Sequence, residues 1–242
     1  MWEVCLEQIY SIPVNEAFDK VRENKACGCP LCMLYRKLED DELDIILGAS
    51  MMEPDIRIKT NEQGFCNTHY KKMLIRRRML GMGLILESHL AEVEKKVDGK
   101  GLLGRSAATA LSSLLTLEGD CYVCSRINKN LNAMTATVCY LWESEAQFRE
   151  KFRDMPFFCL PHYRAMLDYA SKKMSKRNFR DFYDMAHALE MEYVKTLEND
   201  VSWFCKKFDY RYDEEPWYNA KDSVPRAIRF LTGASDEDNN PK

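Results

Sequence analysis

The ten residues FCNTHYKKML (65–74) return as FCLPHYRAML (158–167). Phe65, Cys66, His69, Tyr70, Met73 and Leu74 recur as Phe158, Cys159, His162, Tyr163, Met166 and Leu167. Upstream of each copy stands a Cys-x-x-Cys: CPLC supplies Cys29 and Cys32, and CYVC supplies Cys121 and Cys124. The two signals share nearly one offset, 92 residues from Cys29 to Cys121 and 93 from Cys66 to Cys159. A common offset in two separate motifs points to an internal repeat. The chain holds only 4 histidines, and 2 of them fall in this register.

Each repeat therefore offers three thiols and one imidazole, the Cys₃His set that zinc takes in closed tetrahedral sites. The candidate ligands are Cys29, Cys32, Cys66 and His69 in the first repeat, and Cys121, Cys124, Cys159 and His162 in the second. Residues three apart on a helical turn share a face, so each pair can grip an ion from one side. Cys66 and Cys159 also fall near expected helix N-termini, where exposed N–H groups favour the thiolate. The reading is structural zinc, two ions per chain. A redox dithiol, a catalytic zinc and an iron–sulfur cluster are the alternatives. The linear order favours pairing within a repeat, with the Cys-x-x-Cys of one repeat and the Cys-x-x-His of the other as the open alternative.

The insert between the pairs is 33 residues in the first repeat and 34 in the second. Small zinc fingers and ribbons use on the order of 12–20. The insert must carry structure of its own, and its periodicity is helical. Leu31, Leu34, Tyr35, Leu38 and Ile46 share a face; so do Ile127, Leu131, Met134, Val138 and Leu141. Leu86, Leu90, Val93 and Val97 follow the same period, and the longest pattern runs from Phe179 to Phe204. EPDIRIKTNEQ and SEAQFREKFRD read as short return helices. Ser144 with Gln147 has the form of a capping box. Ser223 with Pro225 opens a last helix that stops at Gly233. No segment alternates like a strand, and the acidic tail ASDEDNNPK reads as disordered.

These features predict an all-α fold: two tandem zinc-tied helical repeats plus C-terminal helices. The first repeat is expected over 1–103 and the second, with the long helix and a C-terminal strap, over 104–242, packed as one compact unit. At 242 residues the chain can bury a core without staples. A net charge of −3 gives no field toward nucleic acid or anionic lipid. The apolar run MLGMGLIL is too short to span a bilayer, and the first residues lack a signal-peptide pattern. The expected location is cytoplasmic, where 10 cysteines stay reduced and need metal as their reason.

The remaining candidates read as structural. Cys27 has Gly119 as its counterpart and is a bystander. Cys5, Cys139 and Cys205 sit among apolar residues and read as core. His89 and His187 read as boundary or hydrogen-bonded histidines. The basic stretches 71–78 and 171–180 read as solvated faces, the first balanced by EDDELD at 39–44. No GxSxG elbow, Walker loop, GxGxxG or HExxH is present, so no catalytic residue is assigned.

CPLC (29–32), GFCNTHY (64–70), CYVC (121–124) and FFCLPHY (157–163), with KKFDYRYDEEPW (206–217) and DSVPRAIRFLTG (222–233), resemble an uncharacterised bacterial family. It is a domain of unknown function built around CPxC and GFCxxH. One departure is Tyr122 where the first repeat has Pro30. The resemblance implies a helical metal-site protein and no established activity. The expected function is a zinc-stabilised, non-enzymatic module that binds an unknown protein or small molecule. The alternatives are a thiol- or zinc-responsive sensor and an enzyme with a pocket between the repeats.

Overall fold

The computed structural model describes residues 9–98, 100, 101 and 104–233. The expectations of a disordered tail at 234–242 and a core position for Cys5 lie outside these residues. The fold is all-α. In chain order the helices are α1 (Ser11–Glu23), α2 (Pro30–Ile46), α3 (Pro54–Gln63), α4 (Asn67–Ile75), α5 (Met79–Asp98) and α6 (Ala107–Gly119). They continue as α7 (Tyr122–Ser144), α8 (Ala146–Arg153), α9 (Leu160–Lys173), α10 (Lys176–Lys206) and α11 (Ser223–Thr232). The only extended pair among the described residues joins Lys100–Gly101 to Gly104–Arg105, antiparallel.

The local reasons are legible. Pro54 starts α3, and Gly64 ends it at φ 62°, a backbone state closed to most side chains. A Cβ on Gly64 would also lie 2.9 Å from the His89 ring. Ser175 caps α10 by accepting from Asn178 N–H at 3.2 Å. The capping box at Ser144 does not form. Ser144 belongs to α7 and donates to the Tyr140 carbonyl at 2.8 Å, and Glu145 is the N-cap of α8. The segment before Cys121 is helix α6. Its alanines and leucines carry it into a helix despite its serines.

The chain forms two compact units. The first comprises Met1–Tyr35 and Leu131–Lys242, the second Arg36–Asn130. This division is interleaved and does not follow the tandem boundary at 103/104. In the first unit, α1 packs against α8. Phe18 meets Phe148 at 4.8 Å between ring centroids and Phe158 at 6.1 Å, and Phe152 meets Phe158 at 4.8 Å and Phe182 at 5.3 Å. Burying each such ring is worth roughly 2–3 kcal/mol. Helix α11 lies on α9 and α10, with Phe230 against Phe157 and Tyr193. Between α10 and α11 the chain wraps as a strap around the buried Lys207, which donates to the carbonyls of Tyr212, Asp213 and Glu215.

In the second unit, α3 and α6 pack on α5, and Leu43, Ile46, Met73, Ile85 and Ile127 are buried. Arg76 on the basic stretch after α4 bonds Asp40 at 2.7 Å and Asp44 at 2.8 Å. Arg78 also pairs with Asp44, so the acidic run at 39–44 meets part of the basic stretch. No helix among the described residues is long and apolar enough to cross a membrane.

Candidate metal centres

Each unit holds one cluster of three thiols and one imidazole. Cys29, Cys32, Cys159 and His162 form the first, and Cys66, His69, Cys121 and Cys124 the second. In both, the four candidate ligand atoms lie within 4.8 Å of one another. All eight predicted residues are brought together, but the expected pairing is corrected: each Cys-x-x-Cys meets the Cys-x-x-His of the other repeat. The reason is helix length. Helix α7 runs 23 residues outward and α8 returns over only 8. At 1.5 Å per residue that is about 35 Å out and about 12 Å back. Helices α2 and α3, of 17 and 10 residues, are mismatched in the same sense. The chain therefore does not come back to its own Cys-x-x-Cys.

Helix ends aim the ligands. Cys66 is the N-cap of α4 and Cys159 of α9, both in extended backbone, and neither thiol caps its helix. Cys29 and Cys121 stand just before α2 and α7. Each cluster thus sits at two helix N-termini, whose partial positive charge favours thiolates. In the second unit the two motifs are also joined through backbone, Tyr122 N–H donating to the Gly64 carbonyl at 3.0 Å.

In the first cluster Sγ of Cys32 and Cys159 are 3.4 Å apart, and His162 Nδ1 lies 3.0 Å from Cys159, 3.4 Å from Cys32 and 3.6 Å from Cys29. In the second, His69 Nδ1 lies 3.2 Å from Cys66, 3.3 Å from Cys121 and 3.5 Å from Cys124, with Cys66 and Cys124 4.0 Å apart. A tetrahedral zinc, bonded at about 2.3 Å to sulfur and about 2.0 Å to nitrogen, would space its ligands about 3.8 Å (S–S) and 3.5 Å (S–N). The donor set fits: each cluster could hold a metal ion, and three soft thiolates with one imidazole are consistent with zinc.

The electrostatics suit a cation. Burial raises the Cys29 thiol, and the neighbouring thiols add to the effect. The thiols of Cys159 and Cys29 pull Cys32 far below the ordinary thiol range. In the second cluster burial opposes ionisation of Cys121, but the His69 imidazole outweighs it and brings the thiol to about 6. Burial likewise resists the charge on His69, but Cys121 and Glu39 overcome it and raise the imidazole to about 10. Burial pushes Cys124 up to about 12. One thiolate beside protonated neighbours is the charge pattern a dication would replace, with release of the protons.

Two supports were not read from the sequence. The buried Glu39 accepts from His69 Nε2 at 3.0 Å and pairs with Lys72. This bond holds a proton on Nε2, so Nδ1, which faces the thiols, is the nitrogen that would give up its proton and turn a lone pair to a metal. Gly233, at φ 88°, lies over the first cluster, where a Cβ would stand 3.7 Å from Cys159 Sγ and 4.0 Å from Cys32 Sγ. Lys72 sits one helical turn beyond His69, a spacing that could have signalled the first support. Nothing local signals the second.

The remaining residues divide. Cys27 is half-buried and outside both clusters. Cys139 is buried as expected. Cys205 is exposed, contrary to its core reading, because it falls one residue past the apolar stripe that ends at Phe204. His89 is buried and paired to the Asn61 carbonyl at 3.0 Å. His187 is exposed and stacks on Tyr183 at 5.3 Å.

No curated protein and no solved structure matches the chain. A family model does, over residues 5–238, which is nearly the full length. The chain belongs to a family of unknown function, DUF6062.

Proposed function

We propose that this protein is a zinc-stabilised, non-enzymatic helical module that binds a protein or small-molecule partner, with one structural zinc in each cluster. The observation that carries the reading is that both tetrads are complete. Each offers four protein ligand atoms within 4.8 Å of one another, whereas catalytic zinc usually keeps a position open for water or substrate. Structural zinc in small peptides is worth roughly 10–16 kcal/mol of apparent binding free energy. That equals the whole stability of a typical domain, about 5–15 kcal/mol. Each ion would join segments far apart in the chain and fix the helices between them.

Elemental analysis of protein purified without chelator tests this. The expected result is two zinc per chain, lost with helicity on exhaustive chelation. A folded, metal-free chain, or disulfides among the eight residues, would overturn the reading. Partner capture by the zinc-loaded chain, abolished by chelation, is the expected sign of the binding role.

A further inference from the structure

The two clusters share a ligand set and differ in what surrounds them. In the first, Cys29, Cys32 and Cys159 are 2%, 5% and 0% exposed, and Gly233 lies over two of the sulfurs. Only His162 is partly exposed. In the second, Cys66 and Cys124 are both partly exposed, and they form one edge of the tetrad. An incoming ligand can reach sulfur along that edge. On its other side the same cluster has a buried carboxylate. Glu39, 4% exposed, holds His69 through Nε2 and is itself held by Lys72. The repeat offset that carries Cys29 to Cys121 carries Glu39 to Leu131, so the other half has no carboxylate at this position.

We propose that the two metal sites are unequal: the Cys29/Cys32/Cys159/His162 site is a sealed lock, the Cys66/His69/Cys121/Cys124 site exchanges its ion, and Glu39 is the positioning residue that sets how tightly the exchangeable ion is held. The proposal rests on the zinc reading above. Ligand exchange at a four-coordinate ion needs access for the entering donor, and only the second cluster presents thiols to it. A carboxylate on the far nitrogen of a ligating imidazole fixes its tautomer and orientation and raises its basicity. Loss of such a partner typically costs about 10- to 100-fold in metal affinity. The exposed edge makes exchange fast, and Glu39 keeps the resting affinity high. A site that is both tight and accessible can pass zinc to a competing thiol ligand without unfolding the rest of the chain.

The test uses the full zinc-loaded chain and a chromophoric chelator. Two phases of release are expected, one ion each. Mass spectrometry of alkylated protein after the fast phase should find Cys66, Cys121 and Cys124 modified and Cys29, Cys32 and Cys159 protected. Glu39→Gln keeps size and burial and should speed the fast phase about 10-fold or more, leaving the slow phase unchanged. In the same variant the ring-nitrogen NMR signals of His69 should move and those of His162 should not, which a general loss of stability would not produce. Lys72→Met should give a smaller change of the same kind. A chain carrying no zinc overturns the zinc reading and this proposal together. Two ions leaving in one phase, release first from the Cys29 cluster, or Glu39→Gln altering both phases alike overturns this proposal and leaves the zinc reading standing.

Discussion

The sulfurs of Cys32 and Cys159 lie 3.4 Å apart although 127 positions separate the two residues in the chain. This proximity belongs to a reciprocal exchange. The first unit takes α1 and CPLC from one half of the sequence and α8, α9 and α10 from the other. The second unit takes α3, α4 and α5 from the first half and α6 with CYVC from the second.

Cross-pairing has a stoichiometric signature. Cys32→Ser with Cys159→Ser should leave one zinc per chain, because both changes fall in one cluster. Cys32→Ser with Cys66→Ser should leave none, because each falls in a different cluster. Pairing within repeats would give one ion for the second double variant. Elemental analysis of the two proteins, each compared with its single variants, decides the matter.

Glu190 should make stability fall as pH rises. Its Oε1 accepts from Phe158 N–H at 2.7 Å, and its Oε2 is buried without a partner. Burial lifts its pKa to about 7, against the pull of that N–H. Between the unfolded value and about 7 the folded chain holds the extra proton, so each step upward in pH costs stability until the group is fully ionised. The penalty at pH 8 is about 3 kcal/mol. Glu190→Gln should therefore stabilise the protein, by about 1 kcal/mol more at pH 8 than at pH 6. Urea melts of both proteins at the two pH values measure it; equal gains would refute the assignment.

Gly233 should not tolerate a side chain. Its φ of 88° and ψ of 172° place it where essentially only glycine goes. Gly233→Ala should cost about 1–3 kcal/mol from the backbone alone. The added methyl sits in ordinary contact with Cys159 Sγ, at 3.7 Å, so zinc content should hold at the level of the unmodified protein. Thermal melts and elemental analysis together separate strain from ligand loss.

Lys207→Met should release the strap. The ammonium donates to three carbonyls, at 2.6, 3.0 and 2.7 Å, and stands 5.5 Å from the Trp217 ring centroid. Hydrogen bonds to a charged group are worth about 1.5–3 kcal/mol, and the orphaned carbonyls add to the loss. The expected loss is about 2–4 kcal/mol, with limited proteolysis cutting between Phe208 and Lys221 before any other site. A variant whose strap stays protected would show that Trp203, which donates to the Pro216 carbonyl at 3.0 Å, suffices to hold it.

The sequence alone determined the helical class, the eight clustered residues and their register, because these rest on local periods. Side chains three apart share a helical face, and apolar stripes repeat every 3.6 residues whatever the chain does elsewhere. Gly233 marked a helix end for the same local reason. Tertiary structure alone decided which half-sites meet. That outcome follows from unequal lengths, α7 being 23 residues and its return helix α8 only 8, a comparison made between elements and not within one. Glu39 behind His69 and Gly233 over Cys159 were settled in the same way. Each contact joins segments that only packing brings together.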